Sequence, residues 1–281
     1  KAVLEYLELN HYARASRLKS GSERDRQAVL LGIIGSTDDK DDALGEFNPW
    51  ILPSMSKVSR DTWETILVFQ DAARADSRAV GKFIISMCSN VSDILIILTM
   101  MKIVGSLESV GGVITSCDHD VTGLFETVED LKAAPAIIQD FLSIKMIRDY
   151  IRRHRHGKVT MMMGYSDSVR DGSSLASDSQ ITRTSLQLQA LEKEINRAHP
   201  SDVPIKFVFY RGRGDTIPRG FGGSVSKAVA AQLVTTQEED HTEQNRFLRR
   251  YSSVSSTIDH LHSLYSAHVS RQVAHIPGKT M

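Results

Sequence analysis

Short runs of β-branched, aromatic and other apolar residues alternate with longer helical patterns through the middle of this 281-residue chain. That alternation limits the possible fold more than any other feature. Phe83-Ile84-Ile85-Ser86-Met87-Cys88, Gly112-Val113-Ile114-Thr115-Ser116, Val159-Thr160-Met161-Met162-Met163 and Ile205-Lys206-Phe207-Val208-Phe209-Tyr210 read as strands. Trp63 to Phe69 reads as a further strand or a buried helix end. An apolar helix begins at Ile94, with Ser92 or Asp93 as its N-cap. Glu129 to Ile151 reads as one helix, apolar at Leu131, Ile137, Ile138, Phe141, Leu142 and Ile144, with Pro135 early enough to be tolerated. A long helix after Met163 carries Leu188, Leu191 and Ile195 on one face. Strands that alternate with helices predict an α/β fold with a parallel sheet, open or closed into a barrel.

Ahead of that region, residues 1–60 read as a helical lead-in, and 61–281 as the α/β part. Glu5 to Leu9 and Arg26 to Ile34 are helical patterns, and Asp38-Asp39-Lys40-Asp41-Asp42 is a solvated turn. Asn48-Pro49-Trp50-Ile51-Leu52-Pro53 acts as a breaker and an anchor ahead of the α/β part. Lys+Arg and Asp+Glu balance at 34 each, so no global field points to nucleic acid or an anionic membrane surface. The apolar run from Ile94 to Met101 is far shorter than the ~20 residues a membrane span needs. Cys88 and Cys117 lie in or beside apolar runs and read as buried free thiols of a reducing, cytoplasmic compartment. The chain opens on Lys1 rather than methionine, which reads as a piece of a longer polypeptide.

Three segments at strand ends carry the chemistry. They are Leu124-Phe125-Glu126-Thr127, the loop Gly164-Tyr165-Ser166-Asp167-Ser168-Val169-Arg170-Asp171-Gly172, and Arg211-Gly212-Arg213-Gly214 through Arg219-Gly220. Loops at strand ends are where α/β barrels keep their reacting groups. Glu126 and Asp167 are hard oxygen donors suited to Mg²⁺ or Mn²⁺. Arg213 and Arg219, spaced among glycines, offer planar donor forks to phosphate or carboxylate. Taken singly these residues have plainer readings: a solvated helix start for Glu126, a turn former for Asp167, a flexible basic turn for the arginines. The basic run Arg152 to Lys158 reads as a solvated turn. Asp118-His119-Asp120 and His260-Leu261-His262 have ligand chemistry but no third partner at a zinc-like spacing.

In their order these landmarks resemble the phosphoenolpyruvate carboxylase family. Ser86-Met87 to Ser92-Asp93-Ile94-Leu95 comes first, then Leu124-Phe125-Glu126-Thr127, the Gly-Tyr-Ser-Asp-Ser loop, and the glycine-arginine segment. The resemblance covers Trp63 to Tyr251 and implies a strongly helical (β/α)8 barrel, TIM-like, of which this chain holds an incomplete part. It implies carboxylation of phosphoenolpyruvate with bicarbonate to oxaloacetate and phosphate, an anaplerotic carbon fixation that feeds the tricarboxylic acid cycle. Glu126 and Asp167 would hold Mg²⁺ or Mn²⁺. Arg213 and Arg219 would hold the phosphate and bicarbonate and act in catalysis with Arg170, which would neutralise developing charge. Arg211 and Ser168 would also bind substrate. A cytoplasmic homotetramer is implied, with neither nucleic acid nor membrane as partner.

The chain departs from the family pattern at five places, the first being the second glycine of the loop, Gly172, which comes one place early. Arg170 stands where the family has lysine, and Arg211 where it has histidine. Asp215 and Glu238 stand where it has glycine. A guanidinium cannot act as a proton acceptor at accessible pH. The alternative reading is therefore a non-catalytic relative or fragment that binds divalent metal or an organic phosphate and serves in subunit association or ligand sensing.

Overall fold

A computed structural model describes residues 1–36, 47–77, 79–164 and 174–211. Asp38 to Asp42, Asp167, Ser168, Arg170, Arg213, Arg219, Glu238 and the histidines at 260 and 262 lie outside the described residues. The elements in chain order are helices α1 (Ala2–Leu9), α2 (Ala15–Ser20) and α3 (Glu23–Ile34), a 3₁₀ turn (Pro49–Ser54), α4 (Lys57–Ala75), β1 (Lys82–Ile85) and α5 (Val91–Val104). Next come β2 (Leu107–Val110), β3 (Val113–Cys117), β4 (Asp120–Phe125), α6 (Val128–Ser143), α7 (Lys145–His154), β5 (Lys158–Met163), α8 (Ser174–Ala198) and β6 (Lys206–Arg211).

β1, β4, β5 and β6 form a parallel sheet in that order. Each strand is laid beside the previous one in the same direction, so the sheet is singly wound. Paired residues include Ile85 with Gly123, Phe125 with Met163, and Met163 with Arg211. One face, with Phe125, Val159, Met161, Met163 and Phe207, is buried, with α5 to α8 packed against the strands. The opposite face is less covered. Continuing the register, Ile84, Thr122, Thr160 and Val208 form one row across it, and Ile84 and Val208 are 45% and 37% exposed.

Side-chain chemistry explains where the helices begin. Ser22 and Asp25 form a reciprocal capping box at α3, and Thr127 and Asp130 form another at α6. The cap of α5 is Asn90, not Ser92 or Asp93. Asp93 sits one turn inside, and its carboxylate accepts hydrogen bonds from the backbone N–H of Asn90 (2.9 Å) and of Ser89 (3.0 Å). Trp63 to Phe69 belongs to α4, because Trp63, Ile66 and Gln70 fall three to four residues apart and share a buried face. The segment before it is anchored by Phe47, stacked 5.5 Å from the Tyr6 ring, and by buried Leu52, while Trp50 stands 87% exposed.

Two sequence expectations need correction. The run near Val113 is a strand, but it pairs antiparallel with β2 in a separate hairpin rather than joining the parallel sheet. The place beside β1 is taken by β4, whose Gly123 reads in sequence as a strand breaker. A Cβ at Gly123 would lie 2.9 Å from Cys88 Sγ, so the glycine is what lets the end of β1 pack against β4. The helix expected from Glu129 to Ile151 is divided at Ile144, whose extended backbone ends α6 and begins α7. Arg148 crosses the break and donates through Nη1 to the carbonyl of Leu142 (2.8 Å) and that of Ser143 (3.3 Å).

Candidate functional site

Parallel strands in register end together, and the carboxyl ends of all four meet at one edge of the sheet. Ser86 to Asn90 leave β1 there, Glu126 and Thr127 leave β4, and Gly164 leaves β5. Arg211, the last residue of β6, pairs with Met163 at the same level. Three of the sequence-predicted segments therefore start from one edge, although the side chains of Asp167, Ser168, Arg170, Arg213 and Arg219 belong to residues not described.

Glu126 sits where β4 gives way to α6. Thr127, the next residue, caps α6: its Oγ1 accepts from the N–H of Asp130, and the Asp130 carboxylate accepts from the N–H of Thr127, both at 3.0 Å. That reciprocal pair fixes the backbone immediately after Glu126. On its other side, the Gly164 N–H donates to the Phe125 carbonyl at 2.8 Å. Gly164 is so close that a Cβ there would meet Glu126 Cα at 2.7 Å and Glu126 O at 3.1 Å. Only glycine lets the chain leaving β5 run alongside Glu126 without moving it.

The acidic groups around this edge are not equivalent. Asp93 is consumed in the Ser89–Asn90 loop and Asp130 in the α6 cap, while Glu129 pairs with Lys132 at 2.7 Å on the surface. Glu126 is half-buried, and among the described residues its carboxylate has no hydrogen-bond or ion-pair partner. A carboxylate fixed by its backbone and uncommitted in its side chain suits a hard divalent cation, which takes one or two protein carboxylates and fills its other positions with water and substrate oxygens. Among the described residues no cluster of three or more His, Cys, Asp or Glu forms a metal cage.

Sequence reasoning misses the loop after β1 as a part of this edge. The N–H of Cys88 donates to the Leu124 carbonyl at 3.0 Å, which fastens the loop to β4 two residues before Glu126. Ser92, at the start of α5, donates through its N–H and Oγ to the Glu23 carboxylate at 2.9 and 2.7 Å, tying α5 to α3. The Ser-Asp landmark thus has a structural meaning: Ser92 holds the helix and Asp93 holds the loop. Burial pushes the Cys88 thiol up to about 12, with Asp93 and Asp130 adding to the effect, so it stays a protonated packing group.

The basic run and the Asp-His-Asp triplet fall at the opposite edge. Asp120, the first residue of β4, bridges Lys82 (2.8 Å) and Arg155 (2.6 Å), and Lys82 also donates to Thr160 Oγ1 at 2.8 Å. Arg155 further donates to Tyr150 Oη and to the Cys117 carbonyl, and Arg152 is buried and paired with Asp202. The run expected to be a solvated turn is therefore partly buried and committed to ion pairs. His119 is buried beside the Phe69 and Phe83 rings, 5.9 and 6.4 Å away between centroids.

Comparison with known proteins agrees with the landmarks. The phosphoenolpyruvate carboxylase family model matches residues 7–280. A phosphoenolpyruvate carboxylase of Shewanella oneidensis is 32% identical over 80% of this chain and 22% of its own length. One from Tolumonas auensis is 29% identical over 95% of this chain and 26% of its own. Phosphoenolpyruvate carboxylase 4 of Arabidopsis thaliana is 33% identical over 65% of this chain and 17% of its own. The chain thus spans about a sixth to a quarter of the length of these relatives. No helix among the described residues is long and apolar enough to cross a membrane. By the extent of the family match and the order of its strand-end segments, this chain belongs to the phosphoenolpyruvate carboxylase family.

Proposed function

We propose that this chain supplies part of the catalytic barrel of an enzyme that carboxylates phosphoenolpyruvate with bicarbonate, giving oxaloacetate and phosphate. The observation that carries the reading is the uncommitted Glu126 carboxylate, set between the α6 cap and Gly164 at the edge where the predicted loops leave their strands. The barrel part of the proposal draws on the single winding of the sheet and on its less covered face. Rows such as Ile84, Thr122, Thr160 and Val208 would supply side-chain layers if further strands closed the barrel.

In the reaction the bond between phosphorus and the enol oxygen breaks as the phosphoryl group passes to a bicarbonate oxygen. The bond from that oxygen to carbon then breaks, releasing inorganic phosphate with the bicarbonate proton, and C3 bonds to the same carbon to form the new carboxylate. Negative charge develops on the enolate and phosphoryl oxygens. A bound Mg²⁺ or Mn²⁺ supplies Lewis-acid stabilisation of those oxygens. Glu126 and Asp167 would hold it, Glu126 through a backbone that cannot shift without breaking the Thr127–Asp130 cap. Arg213 and Arg219 would bind the phosphate and bicarbonate through paired N–H donors. Arg170 would offset developing charge, Ser168 would hydrogen-bond a substrate oxygen, and Arg211 would bind an oxyanion without taking a proton. The subunits would assemble as homotetramers in the cytoplasm, following the family.

The test is turnover by the full-length protein containing this segment, coupled to reduction of the product with malate dehydrogenase and NADH. Bicarbonate- and Mn²⁺-dependent oxidation of NADH that is lost in Glu126→Gln supports the reading. Oxidation that persists unchanged in that variant removes Glu126 from the site. A full-length protein that binds Mn²⁺ and phosphoenolpyruvate without turnover is instead the non-catalytic relative.

A further inference from the structure

Met87 combines three properties that packing alone does not explain. Its backbone lies in the left-handed region at φ 52°, which long side chains rarely adopt. Its side chain is apolar and 63% exposed. It sits in the loop that leaves β1 at the same edge as Glu126.

The loop is held from several sides in a way that imposes this conformation. Cys88, the next residue, donates to the Leu124 carbonyl and packs its sulfur under Gly123. Asp93 accepts from the N–H groups of Ser89 and Asn90 and from Ser89 Oγ at 3.3 Å. Glu23 clamps Ser92 one turn further on. A strained non-glycine residue persists where its surroundings over-determine it, and such residues gather at functional sites. Here the strain serves to stand an apolar, polarizable side chain out at the strand-end edge, instead of folding it back onto the sheet.

We propose that Met87 is a substrate-contacting residue, the apolar wall of the site on the β1 side. It would lie against the carbon skeleton of the bound enol phosphate and keep water away from the carbon that is carboxylated. Protonation of that carbon by water would divert the enolate to pyruvate, so an apolar cover on this side favours bond formation to carbon over loss of the substrate. The inference rests on the proposed carboxylation and adds a residue to it.

The test uses the full-length protein and three variants. Met87→Gly and Met87→Asn both tolerate a left-handed backbone, so neither should lower the melting temperature. Both should reduce kcat/KM for phosphoenolpyruvate by roughly 10- to 100-fold, the scale of a lost apolar contact of this size. The ratio of pyruvate to oxaloacetate should rise in both, with Mn²⁺ affinity unchanged. Met87→Leu, which keeps the bulk, should stay near wild type in both respects. Wild-type kcat/KM and product ratio in the glycine and asparagine variants overturn the proposal. So does a loss of rate that only tracks a lowered melting temperature, since that describes a structural residue. A wild-type protein with no turnover overturns both this inference and the carboxylation reading, whereas an active wild type with unaffected Met87 variants overturns this inference alone.

Discussion

Gly164 lies against Glu126 with no room for a side chain between them: a Cβ on Gly164 would be 2.7 Å from Glu126 Cα, and the Gly164 N–H already donates to the Phe125 carbonyl. The contact joins two strands at the point where each hands over to its loop. Gly164→Ala should therefore cost about 1–3 kcal/mol by forcing backbone apart, and in the full-length protein it should also weaken Mn²⁺ binding. Urea unfolding and calorimetry read the two effects. Gly81→Ala, which meets nothing within 4 Å, is the control and should be close to neutral.

Removing the cap behind Glu126 is the milder perturbation. Thr127→Ala takes away the acceptor for the Asp130 N–H and leaves half of the reciprocal pair unmade. A loss of about 0.5–2 kcal/mol in unfolding free energy is expected. A serine at the same position should recover most of it, which separates a lost cap from a general loss of packing.

Much of this framework is legible in the sequence. β5 and β6 declare themselves as dense apolar runs, the pattern of parallel strands suited to cover on both faces. β4 does not, since Asp120 and Gly123 interrupt it. Asp120 is there to bridge Lys82 and Arg155, and Gly123 is there to admit Cys88, and both reasons belong to residues distant in the chain. The hairpin strand near Val113 has the composition of a sheet strand, and composition alone does not say which partner it pairs with. For the site, motif order locates Glu126 correctly at a strand end. Its freedom from any described partner emerges only when Asp93, Asp130 and Glu129 are each seen to be engaged elsewhere.

His119 gives the fold a pH dependence of predictable sign. Burial is the main cause that pulls its imidazole below the ordinary value near 6.5, with Arg155 adding to it and Asp118 opposing. Among the described residues neither ring nitrogen makes a hydrogen bond of good geometry, and the Phe69 backbone nearby opposes the effect of burial only in part. The unfolded chain therefore takes up the proton first as pH falls. The stability linked to His119 is present above about pH 6.5 and is lost as pH falls from there through the lower folded value. Melting temperatures of the wild type should drop between pH 7 and pH 5.5 by more than those of His119→Phe, which fits among Phe69 and Phe83 without a titrating group. Parallel curves for the two proteins would show that His119 is not the group responsible.

Arg170 and Arg211 set a ceiling on turnover under this account. A lysine ammonium is compact and a guanidinium is a wide planar fork, and a histidine at the second position could relay a proton that Arg211 cannot. The full-length double variant Arg170→Lys with Arg211→His should turn over faster than the parent, within the roughly 10²–10⁴-fold that an acid–base group contributes. Equal rates would show that the two arginines are accommodated without cost.

The proposed site depends most on Glu126 as a metal ligand, and Mn²⁺ binding to the full-length protein measures that without relying on turnover. Titration of free Mn²⁺ by electron paramagnetic resonance, with phosphoenolpyruvate present, should show one tight site per chain in the wild type. Glu126→Gln, a change of charge with almost no change of shape, should weaken that site at least tenfold while the melting temperature without metal is unaltered. The same Mn²⁺ affinity in Glu126→Gln as in the wild type would contradict the account.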